Sequence, residues 1–110
     1  MQQNTLNGDN LSRSIWKYDV PIDDGWHEVL IPSPGKVLHV DSQGAHGTVH
    51  VWAEVAPDSG ELVPQRFRAF GTGHSIPARS EYVGTALAGP FVWHVYSEYP
   101  GAFGKYGDSE

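Results

Sequence analysis

The residues best suited to chemistry stand together in one short stretch, Phe70-Gly71-Thr72-Gly73-His74-Ser75-Ile76-Pro77. Glycine tolerates positive φ and lets other atoms approach the backbone closely, so a turn built on Gly71 and Gly73 can present its N–H groups. Such groups, beside the hydroxyl of Thr72 and the imidazole of His74, could bind a small anion or a carbonyl oxygen. The structural alternative is a tight strand-to-loop turn in which His74 caps the loop, because Gly and Ser are ordinary turn residues.

Two arginines and a second histidine are candidates to complete a site around this stretch. Arg66 and Arg68 lie two residues apart, so their side chains point the same way on a strand. Their guanidinium groups could hold a phosphate and supply the countercharge that an acidic protein otherwise lacks. His74 would add a donor whose protonation depends on pH. We therefore predict a ligand pocket lined by Arg66, Arg68, Gly71, Thr72, Gly73, His74 and His94.

Nothing in the spacing of nucleophiles and bases predicts an enzyme. The chain has no cysteine, so it has no thiolate nucleophile. Thr72 and Ser75 stand beside His74 in the sequence, but a catalytic triad depends on spatial placement and not on sequence proximity. We predict no catalytic residue, and a small hydrolase that uses His74 or His94 is kept as an alternative.

The histidine content raises the question of a metal site, since the chain contains His27, His39, His46, His50, His74 and His94. Zinc requires three or four ligands that converge at about 2 Å. A hairpin centred on the loop 43–47 would pair His39 with Trp52. The same pairing would place Asp41 opposite His50, on the same face of the sheet. No HxH or HExxH motif supports a site there, so we predict neither a metal nor a cofactor.

Composition limits the class of protein. The 110 residues hold one domain, because this length leaves no room for two cores. Seven basic and 13 acidic residues give a formal net charge of −6, which repels a phosphate backbone and argues against a nucleic-acid polymer as partner. No apolar run approaches the roughly 20 residues of a membrane span, and residues 1–10 do not resemble a signal peptide. Since disulfides are impossible, we expect an intracellular protein that does not bind membranes.

Seven short segments with strand character, separated by turn signals, would position these residues. They are residues 14–20, 26–31, 36–42, 48–56, 62–70, 82–87 and 91–97. Turns every eight to twelve residues, and no helical apolar period, predict an all-β domain. The expected architecture is a compact antiparallel β-sandwich or small barrel of six to eight strands. The last segment is apolar on both faces, so we expect it at a sheet centre with Trp93 and Val95 buried, and Trp52 is also expected in the core.

The two ends of the chain differ from this β-domain in composition. We predict a polar arm at residues 1–13, the β-domain at residues 14–98, and a tail rich in glycine and aromatic residues at 99–110. On the first strand Trp16 and Tyr18 share one face. An edge strand rich in aromatic residues favours pairing with a second copy of the chain. We therefore predict a homo-oligomer, most simply a dimer, with Trp16 and Tyr18 at its interface.

Five motifs follow one another along the β-domain: Ile15-Trp16-Lys17-Tyr18, Val51-Trp52-Ala53, Gly71-Thr72-Gly73-His74, Tyr82-Val83-Gly84-Thr85 and Phe91-Val92-Trp93-His94-Val95-Tyr96. Their order and spacing resemble a family of small uncharacterised domains found mainly in tailed bacteriophages. The resemblance covers roughly residues 14–98. It implies a phage origin but no particular chemistry, because the family has no assigned activity.

These features together predict a small phage accessory protein that binds a ligand or a host factor in the host cytoplasm. A small anionic or nucleotide ligand would suit the basic pair, the glycine-rich turn and the aromatic residues. A counter-defence protein that sequesters a nucleotide signal would bind such a ligand. The first alternative is a virion-associated protein, either decoration or minor structural, whose arm and tail grip neighbouring subunits. The hydrolase described above is the second alternative.

Overall fold

The computed structural model describes residues 12–44 and 46–98, and this part of the chain forms two antiparallel sheets. The strands are β1 (Ser14–Pro21), β2 (His27–Pro32), β3 (Lys36–Asp41), β4 (Thr48–Val55), β5 (Leu62–Gly71), β6 (Ser80–Ala88) and β7 (Phe91–Glu98). One sheet has the order β1-β4-β3 and the other the order β2-β5-β7-β6. The predicted all-β sandwich is therefore confirmed. Residues 1–11 of the predicted arm and the whole predicted tail lie outside the described residues.

The core lies between the two sheets and follows from alternation along the strands. In β4 every second residue is fully buried, namely Val49, Val51, Ala53 and Val55. Successive side chains of a strand point to opposite faces, so this pattern places one face of β4 against the other sheet. Val20 of β1, Ile31 of β2, Phe67 of β5 and Val95 of β7 belong to the same buried cluster. Burial of these apolar faces is what holds the sheets together.

The hairpin of β3 and β4 has the register that the sequence predicts. His39 pairs with Trp52, and Asp41 pairs with His50. Trp52, however, corrects the expectation that it belongs to the core. It lies half-buried on the outer face of the three-stranded sheet, because its neighbours Val51 and Ala53 occupy the inward positions.

The last strand lies at the sheet centre, as expected. β7 runs between β5 and β6, and Val95 is fully buried. Trp93 packs against the core but is only half-buried. Its indole Nε1 is buried and has no hydrogen-bond partner among the described residues. A buried donor without an acceptor opposes folding, so the ring stabilises the fold through packing alone.

Trp93 allows a test that separates ring packing from the indole N–H. Trp93→Ala should lower the free energy of unfolding by about 3 kcal/mol, the lower end of the range for large aromatic residues, because the side chain is half-exposed. Trp93→Phe keeps a ring in place and removes an unpaired donor, so its loss should be less than half as large. Urea denaturation of both variants measures this difference. Equal losses would contradict the assignment of an unpaired N–H.

The sandwich is closed on one side by a close approach between β6 and β3. The pairing of β6 with β7 contains a register shift between Tyr82 and Gly84. At this irregularity Gly84 lies directly against Val40 of β3. A Cβ added to Gly84 would be 2.7 Å from Cγ2 of Val40, which is too close for two carbon atoms that are not bonded to each other. Glycine is therefore required for the two sheets to meet at this point.

Candidate functional site

The stretch at the end of β5 forms a tight turn. The N–H of His74 donates to the carbonyl of Gly71 at 3.1 Å, and Gly73 has φ +92°, a region that suits glycine. The N–H of Gly71 donates in turn to Nδ1 of His74 at 3.2 Å. A Cβ at Gly71 would lie 3.0 Å from Cε1 of His74, so the glycine lets the ring approach. His74 thus caps the turn, as in the structural alternative.

His94 connects this turn to the outer face of the four-stranded sheet. Its Nε2 lies 2.9 Å from Oγ1 of Thr72, and its Nδ1 lies 3.3 Å from Oγ1 of Thr85. Oγ1 of Thr85 is also 2.6 Å from the hydroxyl of Tyr82. β7 lies between β5 and β6, so the half-buried His94 reaches a hydroxyl on each side. The four side chains form one hydrogen-bonded chain that runs from β6 across β7 to the turn after β5.

An open cavity of about 400 Å³ lies beside the turn. Its lining comes from Gly71, Thr72 and His74 on one side and from Pro90, Phe91, Val92 and Trp93 at the start of β7 on the other. Phe91 is 61% exposed, although it is a large apolar side chain. An apolar wall with a small number of polar groups is typical of a binding site for a small molecule.

The structure brings together five of the seven predicted site residues. Gly71, Thr72 and His74 line the cavity, Gly73 belongs to the same turn, and His94 contacts Thr72. The contact between His94 and Thr72 joins residues 22 apart in the sequence. It exists because β5 and β7 are neighbours in the sheet, a feature that local sequence patterns do not encode.

The two predicted arginines lie on the same face of β5 but away from the cavity. Nη1 of Arg66 is 2.6 Å from Oε2 of Glu98. The guanidinium of Arg68 stacks on Phe70, 4.5 Å from the ring centroid. Thr72 is four residues beyond Arg68, or about 13 Å at the usual rise of a strand. Arg66 therefore has a carboxylate partner and Arg68 an aromatic one, although Nε of Arg68 is buried without a hydrogen-bond partner among the described residues. Neither arginine lines the cavity.

A second charged group lies near Arg68, in the turn before β2. Oδ1 of Asp23 is 2.6 Å from Nε2 of His27 and accepts from the N–H of Gly25 at 3.1 Å. The hydrogen bond from His27 holds the pKa of Asp23 below its usual value, and the positive charge of Arg68 acts in the same direction. The charge of Arg68 therefore makes only a small contribution at this exposed carboxylate.

The outer face of the four-stranded sheet also carries an aromatic cluster that sequence reasoning missed. The Phe70 ring meets those of Trp26 and Tyr96 edge to face, with centroids 6.1 and 5.8 Å apart, and Tyr82 meets Tyr96 at 5.6 Å. Phe70 is only 1% exposed, although it points away from the main core. These rings come from four separate segments of the chain. No periodic signal in the sequence indicates that they meet.

The outer face of the three-stranded sheet holds the predicted group of histidines. The rings of His39 and Trp52 are 5.6 Å apart, and those of His50 and Trp52 are 6.0 Å apart. Nδ1 of His50 lies 2.8 Å from Oδ1 of Asp19 on β1. Within residues 12–44 and 46–98, no three His, Cys, Asp or Glu side chains are arranged to hold a metal ion.

The two predicted interface residues lie on an edge strand. β1 is the outermost strand of its sheet, and Trp16 is 39% exposed. Tyr18 is half-buried and donates its hydroxyl to the carbonyl of Leu30 at 3.3 Å. Its burial raises the pKa of the phenol. In the described part of the chain, no helix is long and apolar enough to cross a bilayer.

The fold and the site together define a small antiparallel β-sandwich with an open, ligand-sized cavity at the start of its central strand. A family model described as Domain of unknown function (DUF7352) matches residues 11–102. This match spans most of the chain, so the protein belongs to the DUF7352 family. No curated protein and no solved structure matches the chain. The phage origin implied by the sequence resemblance stays a prediction.

Proposed function

We propose that this domain is a binding module for a small molecule, with its site in the cavity between the 71–74 turn and the start of β7. The observation that carries the proposal is the position of the Thr72 hydroxyl. Thr72 lines the cavity together with the exposed Phe91, and its hydroxyl is held 2.9 Å from Nε2 of His94. A positioned polar group beside an exposed apolar wall gives both orientation and binding energy for a small ligand.

The lining favours a ligand with a flat ring and an adjacent oxygen. The ring would stack on Phe91 and contact Val92, while the oxygen would bond to Thr72. A nucleoside or nucleotide has both features, which supports the nucleotide ligand that the sequence predicts. Arg66 and Arg68 are engaged elsewhere, so the base and sugar would contribute more to affinity than the phosphate.

The proposed biological role is that of a phage accessory protein that sequesters a nucleotide signal. It rests on the family resemblance together with the cavity. The virion-associated alternative depends on the arm and the tail, which fall almost entirely outside the described residues. No contact described above favours it over the binding role.

The hydrolase alternative is supported by one distance. Oγ1 of Thr72 and Nε2 of His94 are within hydrogen-bond reach, as a nucleophile and its base must be. Oγ1 of Thr72 would attack the carbonyl carbon of an ester, and His94 would take the hydroxyl proton. The ester C–O bond would then break, the departing alcohol would take that proton from His94, and water would hydrolyse the acyl-threonine. Thr85 would orient the imidazole through its other nitrogen. A hydroxyl stabilises an imidazolium less well than a carboxylate does, so we rank binding above hydrolysis.

The test is native mass spectrometry and calorimetry with a panel of nucleosides, mononucleotides and cyclic nucleotides. We expect at least one to bind, and Thr72→Val to weaken that binding about tenfold, the effect of one hydrogen bond of about 1.4 kcal/mol. Thr48→Val, the same change on the other sheet, should leave binding unchanged. If no member of the panel binds, the proposal is wrong. If a bound compound is cleaved and His94→Ala abolishes cleavage, the hydrolase alternative is correct.

A further inference from the structure

β1 leaves one edge of the three-stranded sheet unpaired in the part of the chain that the structure describes. All eight residues pair with β4 without a register shift, from Ser14 opposite Val55 to Pro21 opposite Thr48. A regular edge of this length presents a row of N–H and C=O groups to which another strand can bind. Ile15 and Trp16 are both exposed beside it.

The other three sheet edges carry features that oppose such pairing. β3 has a bulge between Val37 and His39, and β6 has one between Tyr82 and Gly84. A bulge bends a strand and disturbs its ladder of hydrogen bonds. β2 has six residues and ends at Pro32. β1 is therefore the longest regular edge among the described strands.

The charges along β1 favour a second β1 strand as the partner of this edge, and they favour one register of the pair. Lys17 and Asp19 flank Tyr18 symmetrically and point to the outer face of the sheet. In an antiparallel pair of β1 strands centred on Tyr18, each Lys17 lies opposite Asp19 of the second copy. Opposite charges at directly facing positions stabilise a strand pair. The segment is therefore complementary to itself.

The neighbouring registers are unfavourable. Centring the pair on residue 17 would oppose two Lys17 side chains, and centring it on residue 19 would oppose two Asp19 side chains, which are like charges in both cases. A slip of one residue would place the apolar face of one copy beside the polar face of the other. Of the registers compared, only the one centred on Tyr18 both places opposite charges face to face and keeps the apolar faces of the two copies on the same side.

We propose that two copies of this chain form a dimer through antiparallel pairing of their β1 strands, with Tyr18 at the two-fold axis. The two three-stranded sheets become one six-stranded sheet. On its inner face, Trp16 lies opposite Val20 of the second copy. On its outer face, two Lys17–Asp19 pairs cross the interface. The pairing also satisfies the backbone groups of both free edges.

The first test measures the mass and dissociation constant of the full chain by sedimentation at micromolar concentrations. We expect a species of twice 12.1 kDa. Lys17→Glu places a carboxylate opposite each Asp19 and should raise the dissociation constant by at least about tenfold, since both pairs change from attraction to repulsion. The double variant K17E/D19K restores the opposite charges and should return it to near the wild-type value. Lys36→Glu on β3 changes the charge equally but should have no effect.

The second test introduces single cysteines. Because the chain has no cysteine of its own, any disulfide that such a variant forms must join two copies. A mixture of Lys17→Cys and Asp19→Cys proteins should oxidise rapidly to the mixed disulfide, because facing Cβ atoms on paired strands are close enough for a disulfide. Ile15→Cys is the control, since its two copies would be about six residues, or roughly 20 Å, apart along the strands.

A monomer at all concentrations, as expected if another segment of the same chain covers β1, would overturn the proposal. So would a dimer that Lys17→Glu does not weaken.

Discussion

Phe70→Ala is expected to lower the free energy of unfolding by about 3–5 kcal/mol, the range for emptying a buried aromatic site. Phe70 is 1% exposed and lies on the outer face of its sheet. Two edge-to-face ring contacts and the stacked guanidinium of Arg68 surround it. Truncation leaves a cavity under Trp26 and removes these contacts, each of which stabilises the fold beyond simple burial.

Urea denaturation measures this loss, and Phe91→Ala provides the matched control. Phe91 undergoes the same chemical change at a position that is 61% exposed, so its loss should be below about 1 kcal/mol. If the two variants lose equal stability, the aromatic cluster on the outer face does not act as a second core. The Trp26 ring would then be held by its own loop and not by Phe70.

Gly84→Ala is expected to cost about 1–3 kcal/mol through overpacking. The new methyl group would lie 2.7 Å from Cγ2 and 2.9 Å from Cβ of Val40. Val40 is buried and β-branched, so its side chain has few rotamers into which it can move. The strain would therefore pass to the backbone, where β6 and β3 approach each other.

A double-mutant cycle with Val40→Ala identifies the cause. Val40→Ala removes the atoms in conflict, so Gly84→Ala should cost at least about 1 kcal/mol less in that background. Gly47→Ala is the control, since nothing lies within 4 Å of a Cβ built there. It should change stability by no more than about 0.5 kcal/mol. Additive effects of Gly84→Ala and Val40→Ala would show that the cost arises from backbone conformation alone.

The sequence by itself determines the strands and much of the local pairing. Each predicted segment coincides with an observed strand to within a few residues, because alternation of apolar residues and turn-forming Gly and Pro are local signals. The pairing of His39 with Trp52 follows in the same way, since a short loop constrains the register of a hairpin. The central position of β7 follows from its apolar character on both faces.

The tertiary structure alone decides which side chains meet. The outward position of Trp52 could not be predicted, because a large aromatic residue suits either the core or a half-exposed sheet face. The ion pair of Arg66 with Glu98 joins residues 32 apart, and the contact of Thr72 with His94 joins residues 22 apart. Both depend on β5 lying beside β7 in the order β2-β5-β7-β6. Strand order results from the packing of the whole sheet, and no local pattern of residues encodes it.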